Sequence, residues 1–304
     1  MFPAVTGREG RSSAHRVVPP RGADDRDSGG GGADDAERIP VRPLSWRELA
    51  DLPFAMLQHR IRLIAGLAGA GSAVALGIVA GITALVSFAT DDSSAGTAWA
   101  AIVSTACCAW VLRLWTVGVT VPIGLAVVDD QPITARTAAE RLFPVSGRLL
   151  LNQVISTSIG FGILLLGTPL IVTLIPAVIW LARVRGTRWP IAPVLFTESI
   201  PYQAAVRRAK LLATGRVMPL AGLWLYLRAV LLVLAAPVAG LLGFLSDISG
   251  THRWAVVVLL SGAVLLVSAF AAAVDAATAV VVHIDRRCGR EGFDIRIPSG
   301  QATR

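Results

Sequence analysis

The sequence predicts an all-α integral membrane protein, namely a bundle of six transmembrane helices with interfacial elbow helices and a disordered N-terminal tail. Two observations indicate this fold class. Of the 304 residues, 54% are hydrophobic and only 16% are charged, whereas soluble domains carry about 25% charged residues. The net charge is +8, and the basic residues collect in particular connections between apolar segments. Both features are typical of multi-pass membrane proteins.

Residues 1–40 differ in kind from the rest of the chain. They contain a run of four glycines, closely spaced acidic and basic residues and few large apolar side chains. Such a segment cannot bury enough surface to offset its loss of conformational entropy. We therefore expect a disordered cytoplasmic tail at 1–40, a six-span membrane domain at 41–296 and a short C-terminal tail at 297–304. No secretory signal is expected, because the first 30 residues lack an apolar core.

Six apolar segments reach the length of about 20 residues that a bilayer core requires. The long segment 149–181 is divided at the turn signal Gly167–Thr168–Pro169, because glycine and proline together favour a turn. The fourth span is expected to start near Leu170 and to continue, bent, toward Phe196. The predicted spans are Ile61–Ala89, 97–128, 149–167, 170–196, 218–244 and 254–284.

The basic residues orient these spans. Within 41–304, six spans with both termini on one side place nineteen Arg or Lys residues in the segments of that side, and only Arg253 in the three loops of the other side. Cytoplasmic loops collect basic residues. We therefore expect both termini in the cytoplasm, the protein in the plasma membrane, and anionic inner-leaflet lipids as partners of the basic segments. Nucleic-acid binding is not expected, since orientation already accounts for these charges.

Three helix-start signals predict the elbow helices. Ser45 and Glu48 have the spacing of a capping box, in which the two side chains satisfy free amide groups at a helix start. Thr137 and Glu140 have the same spacing, and Ser199 is expected to cap a third elbow. The sequence therefore predicts three units, each of which is an elbow helix followed by a hairpin of two spans. Ordinary interfacial helices in cytoplasmic connections are the alternative.

Small residues recur every four positions along the first span, at Ala65, Gly69, Ala73, Gly77 and Gly81. This spacing lets another helix approach closely. We expect the partner helix to come from the same chain, and another subunit is the alternative.

Arg113, Arg228 and Asp275 fall within predicted spans, where ionisable groups are costly and deserve a functional hypothesis. A proton or anion site is one interpretation. An interhelical ion pair between Asp275 and either arginine, or arginines that extend toward the membrane surface, is the other.

The sequence predicts no enzyme, cofactor or metal site. The three cysteines and four histidines have no metal-ligand spacing, and the common motifs of hydrolases, metalloproteases and nucleotide-binding proteins do not occur. His283, Asp285 and Glu291 could form an acid–base set, but we interpret them as solvated residues at the membrane boundary.

Two segments carry a family resemblance. Glu198, Ala205, Arg208, Leu212 and Gly215 follow a Glu, Ala-x-x-Arg, Leu-x-x-Gly pattern. This pattern resembles the membrane domain associated with glycerophosphoryl diester phosphodiesterases, although alanine stands where serine is usual after the arginine. Glu198 is expected to pair with an arginine of the following elbow.

The second segment, 283–295, contains Asp285, Arg287, Glu291, Gly292 and Asp294. It is similar to an ending of actinobacterial multi-span membrane proteins, in which tyrosine stands at the place of the histidine. We expect local pairs of Arg287 with Asp285 and Glu291. The resemblance implies a six-helix membrane module and does not imply diesterase activity. In those enzymes the chemistry belongs to a separate soluble barrel, and this sequence has neither the length nor the motifs expected of one.

Two functions remain open from the sequence. The first is a non-enzymatic module that binds or organises other envelope components, with membrane-protein partners that the sequence does not identify. It predicts a tightly packed bundle without a polar cavity reaching the midplane. The alternative is a transporter or lipid-handling protein, which predicts that Arg113, Arg228 and Asp275 line one cavity.

Overall fold

A computed structural model describes residues 44–91, 93–168, 171–249 and 253–291. Within these ranges the chain is helical and contains no strand, which confirms the all-α class. The predicted tails at 1–40 and 297–304 lie outside the described residues. The helices are α1 (Trp46–His59), α2 (Ile61–Ala89), α3 (Ser94–Val128), α4 (Ala135–Leu142), α5 (Ser146–Gly167), α6 (Ile171–Arg188), α7 (Ile191–Thr197), α8 (Tyr202–Ala213), α9 (Val217–Ser249) and α10 (Arg253–Glu291).

Five helical segments in the described residues are long and apolar enough to cross a membrane. The chain therefore has the architecture of a multi-pass membrane protein. The predicted fourth span is not among the five, because the 18 residues of α6 include Arg183, Arg185 and Arg188. The five segments are Ile61–Ala89, Ser94–Val128, Ala135–Gly167, Val217–Leu241 and Val256–Arg290.

The capping box at the start of α1 is confirmed. The backbone N–H of Ser45 donates to the Glu48 carboxylate at 2.8 Å, and the N–H of Glu48 donates to the Ser45 hydroxyl at 3.5 Å. These two bonds satisfy amide groups that a helix start leaves without partners.

The other two predicted caps are wrong. Helix α4 starts earlier than expected, because Thr134 is its N-cap and accepts from the N–H of Thr137 at 3.2 Å. Thr137 is therefore already inside the helix, and its box with Glu140 does not form. Helix α8 follows Pro201 without a side-chain cap. Ser199 lies in the turn before it, with a positive φ of 47°.

The second half of α10 forms the centre of the bundle. Every residue from Ala272 to Arg286 is buried, so this part of the helix is surrounded on all sides. Its many alanines allow close approach of neighbouring helices. Val280 belongs to the same apolar core as Val121 and Ile123 of α3 and several residues of α1.

Helices α5 and α6 form an antiparallel hairpin. At its closed end, a Cβ on Gly167 would lie 2.5 Å from Cβ of Ala177. At its open end, Arg188 contacts Asn152. Helix α6 thus runs back along α5 for its whole length, which is about 27 Å at 1.5 Å per residue.

The small residues of α2 are only partly used within the chain. Gly71 packs against Trp115 of α3, but Gly69, Gly77 and Gly81 have open space where a side chain would begin. At these three glycines no described helix of this chain approaches, contrary to the expectation that the partner helix comes from the same chain. Helix α3 packs beside the row, at Gly71, and leaves the other glycines uncovered.

Candidate functional site

The three charged residues predicted inside the spans come together around Asp275, near the middle of α10. Its buried carboxylate accepts a 2.8 Å hydrogen bond at Oδ2 from Nη2 of Arg113 on α3. Its Oδ1 accepts a 2.6 Å hydrogen bond from Nη2 of Arg228 on α9. A carboxylate in an apolar interior needs such partners, because burial of an unpaired charge costs several kcal/mol. The three residues form a triad that joins three helices.

Trp224 also contacts the guanidinium group of Arg228. It lies one turn earlier on α9, and the Arg228 guanidinium is 5.3 Å from the centroid of its ring. A cation over an aromatic face is attracted by the negative face of the ring. The ring and the carboxylate of Asp275 together restrict the orientation of this guanidinium.

Two further arginines lie one turn apart near the end of α6. Arg188 donates to the Tyr202 hydroxyl at 2.7 Å and to Oδ1 of Asn152 at 3.4 Å. Its Nε is buried and has no hydrogen-bond partner. Arg188 is therefore held in place from two sides and retains an unused donor.

Arg185 lies beside Gly160 of α5. A Cβ built on Gly160 would be 2.9 Å from Nη2 of Arg185, so the absence of a side chain there leaves room for the guanidinium. Among the described residues, Arg185 has no hydrogen bond and no ion pair. A half-buried cation without a direct ion-pair partner is unusual inside an apolar bundle.

One cavity of about 300 Å³ collects these groups. Four guanidinium groups line it, and Asp275 is the only acidic residue among its described lining residues. The lining thus carries an excess of three positive charges. The arginines are Arg113, Arg185, Arg188 and Arg228, and the uncharged polar lining residues are Asn152, Gln153, Ser156 and Thr157.

Polar contacts between α3 and α5 form one wall of the cavity. The side-chain amide of Gln153 donates to the backbone carbonyl of Trp110. The indole N–H of Trp110 donates to the Thr157 hydroxyl at 3.1 Å. These bonds fix the polar residues of α5 at the edge of the cavity.

The cavity has the chemistry of an anion-binding site. A guanidinium only donates hydrogen bonds, and its planar fork matches phosphate and carboxylate groups. In the described part of the chain, no group of three His, Cys, Asp or Glu residues could hold a metal ion. The arrangement can therefore bind and orient an anionic group.

The cavity also bears on the two functions left open by the sequence. The organising module predicts a tightly packed bundle without a polar cavity reaching the midplane, and a polar cavity lies among these helices. The alternative predicted one cavity lined by Arg113, Arg228 and Asp275, and this is the arrangement found.

The first resemblance segment lies outside the cavity. Nε of Arg208 on α8 donates to Oε1 of Glu198 at 3.1 Å, which ties α8 to the end of α7. Gly215 follows α8 with a φ of +85°, a backbone conformation that glycine adopts without steric cost. These residues stabilise the connection that leads from α7 through α8 to α9.

The second segment is more deeply placed than expected. Asp285 and His283 are 2% and 0% exposed, so their interpretation as solvated boundary residues is wrong. The Asp285 carboxylate accepts a 2.8 Å hydrogen bond from the N–H of Leu44 and pairs with Arg286. It thereby joins the start of α1 to the end of α10.

No residue of that segment is among the described lining residues of the cavity. The ion pair of Asp285 is with Arg286, whose long side chain folds back onto the neighbouring carboxylate. Glu291 is the last residue of α10, and its side chain is not described. Asp294 lies outside the described residues.

Sequence reasoning missed half of the cationic lining. From the sequence, Arg185 and Arg188 are two of the nineteen basic residues that orient the spans and have no role in a site. A signal was present, because residues three apart share a helix face, while Arg183 lies on another face. Asn152 and Gln153 gave no signal, since isolated amides in an apolar segment are common.

No known protein family, no curated protein sequence and no solved structure matches this chain. The resemblance to the membrane domain associated with glycerophosphoryl diester phosphodiesterases therefore stays a prediction.

Proposed function

We propose that this chain is a multi-pass membrane protein that binds an anionic ligand within its helical bundle, as a non-enzymatic lipid-handling or transport protein. The observation that carries the proposal is the cavity with four guanidinium groups and one carboxylate among its described lining residues. Both cationic partners of Asp275 are engaged by that carboxylate, so Arg185 and Arg188 need a negative charge from another source.

The energetic argument rests on the low polarity of the surroundings. Ionisable residues inside membranes are rare, and those that persist pair with each other or mark substrate and ion pathways. Each hydrogen bond to a charged group contributes about 1.5–3 kcal/mol. An anion in the cavity could accept several such bonds at once, which would offset the cost of burying the arginines.

We also propose that α6 is a sixth, short span and that both termini are cytoplasmic in a plasma membrane. The antiparallel α5–α6 hairpin supports this, because about 27 Å of helix is close to the bilayer core of about 30 Å. The arginines of α6 gather toward its end. Arg183 is exposed there, and the stems of Arg185 and Arg188 cross the protein interior to the cavity.

Cysteine labelling tests the sixth span. In a background with Cys107, Cys108 and Cys288 replaced by alanine, Thr168→Cys is expected to react with a membrane-impermeant maleimide in intact cells. Gln203→Cys is expected to react only after permeabilisation. Both positions are exposed, so access to the reagent depends on the side of the membrane. Equal labelling of the two positions in intact cells would mean that α6 does not cross.

Two further positions calibrate the labelling. Ser94→Cys at the start of α3 is the control for the outer side, and Gln131→Cys after its end is the control for the inner side. Both residues are exposed, and both flank a helix that is long and apolar enough to cross the membrane.

Ligand binding is tested with one cavity variant and a matched control. Arg185→Gln is expected to weaken binding of an anionic lipid by about 10- to 100-fold, which corresponds to the loss of one charged hydrogen bond. Arg183→Gln is expected to leave binding unchanged. Arg183 is two residues earlier on α6, is exposed, and contacts the Met218 sulfur rather than the cavity.

The measurement is native mass spectrometry of delipidated protein in uncharged detergent. Phosphatidate, phosphatidylglycerol, phosphatidylcholine and inorganic phosphate are the probes. Saturable binding of any of the anionic probes that depends on Arg185 supports the proposal. If no anion binds in this way, or if both variants lose binding equally, the proposal fails.

A further inference from the structure

One apolar segment of α9 is largely exposed. From Leu232 to Leu241 no residue of the helix is buried, although the segment is almost entirely apolar. Leu232 and Val233 are 70% and 71% exposed. All residues of this segment except the half-buried Ala235 are exposed, so exposed residues lie on every face of the helix. This segment therefore offers a continuous apolar surface about 14 Å long.

The apolar segment starts one turn after the cavity. Trp224 and Arg228 of α9 line the cavity, Leu231 is buried, and the exposed segment begins at Leu232. Along α9, the residues that line the cationic cavity are therefore followed by residues with an exposed apolar surface. Helix α5 shows the same order, since Ser156 and Thr157 line the cavity and Phe161 is 68% exposed.

The charge of the cavity limits the kind of anion. Asp275 neutralises one of the four arginines, and three positive charges remain. A phosphodiester carries a single negative charge, whereas a phosphate monoester carries about −1.5 to −2 at pH 7. The doubly charged group matches the excess more closely and has three oxygens that can accept from separate guanidinium groups.

We propose that the ligand is a lipid with a terminal phosphate monoester, whose phosphate occupies the cavity and whose hydrocarbon chain lies along α9 from Leu232 to Leu241. This inference rests on the proposed function and adds the class of ligand. Charge complementarity selects the headgroup. Because the apolar segment begins one turn after Arg228 on the same helix, a ligand that carries its own hydrocarbon chain is favoured over free phosphate.

Binding of four probes to the full chain tests the ligand class. Delipidated protein in uncharged detergent is titrated with long-chain phosphatidate, long-chain phosphatidylglycerol, dihexanoyl phosphatidate and glycerol phosphate, and binding is followed by native mass spectrometry. Long-chain phosphatidate is expected to bind about 10- to 100-fold more tightly than phosphatidylglycerol, a factor that corresponds to one additional charged interaction. Dihexanoyl phosphatidate is expected to bind more weakly than long-chain phosphatidate. Glycerol phosphate, which has no hydrocarbon chain, is expected to bind more weakly still.

Arg185→Gln gives a second readout. The variant is expected to reduce the preference for phosphatidate over phosphatidylglycerol to less than about threefold, because one excess charge is removed. Arg183→Gln is expected to retain the full preference. This comparison uses a ratio of affinities, so a general loss of folded protein cannot produce the result.

The outcomes separate this inference from the proposed function. Equal affinity for phosphatidate and phosphatidylglycerol would contradict the inference that the headgroup is a phosphate monoester. If glycerol phosphate binds as tightly as long-chain phosphatidate, the inference that the ligand is a lipid is wrong. In both cases binding that depends on Arg185 leaves the proposed function intact. If no anion binds in a way that depends on Arg185, both this inference and the proposed function are wrong.

Discussion

Replacement of Asp275 with Asn is expected to lower the free energy of unfolding by about 3–5 kcal/mol, the range measured when one partner of a buried ion pair is removed. The carboxylate is buried and accepts from both Arg113 and Arg228. Without its charge, two more guanidinium groups in the bundle lose their counter-charge. The expected result is a strong fall in folded, monodisperse protein after detergent extraction and a lower midpoint of thermal unfolding.

A matched variant and a combined variant make this result specific. Asp130→Asn is the control, because Asp130 is exposed and has a φ of +52° that asparagine tolerates well. The combined variant Arg113→Gln, Arg228→Gln and Asp275→Asn removes all three charges and is expected to recover most of the lost stability. If Asp275→Asn is as stable as Asp130→Asn, the triad does not support the bundle as described.

Replacement of Gly186 with Val is expected to have the second largest effect. A Cβ at Gly186 would lie 3.0 Å from the carbonyl carbon of Leu220 and 3.1 Å from the backbone N of Ala221. Backbone atoms of a neighbouring helix cannot rotate away, so α6 and α9 must separate. Overpacking of this kind costs about 1–3 kcal/mol and occasionally more.

The same separation should alter the cavity, because Gly186 lies between Arg185 and Arg188. We therefore expect Gly186→Val to lower both the thermal midpoint, measured by size-exclusion chromatography after heating, and the affinity for anionic lipid. Gly162→Val on α5 is the control, since a Cβ there meets nothing within 4 Å. A Gly186→Val protein that matches Gly162→Val in both measurements would contradict the close α6–α9 crossing.

Much of the fold could be predicted because local signals and tertiary structure agree. Apolar length located the helices that could span a membrane, and the capping box at Ser45 located the start of α1. The other caps failed for local reasons. At α4 an earlier threonine took the N-cap position, and before α8 a left-handed turn at Ser199 with Pro201 set the helix start.

The candidate site could be predicted only in part. Arg113, Arg228 and Asp275 stood out because each interrupts an apolar segment. Arg185 and Arg188 did not, since arginines at the end of a short helix look the same whether they face water or a cavity. The α5–α6 hairpin decides between these environments, and its geometry depends on contacts such as Gly167 with Ala177 that no single segment contains.

The central position of α10 has a consequence for biosynthesis. Its segment from Ala272 to Arg286 is surrounded by the rest of the bundle, and Asp285 holds the backbone of Leu44. Chains are made from the N-terminus, so the helices around this segment leave the ribosome before it. Pairs such as α2 with α3 and α5 with α6 can already pack before it is inserted, but Arg113 and Arg228 lack their carboxylate until then. The last described helix to be synthesised therefore completes the core, and this step must follow synthesis of nearly the whole described chain.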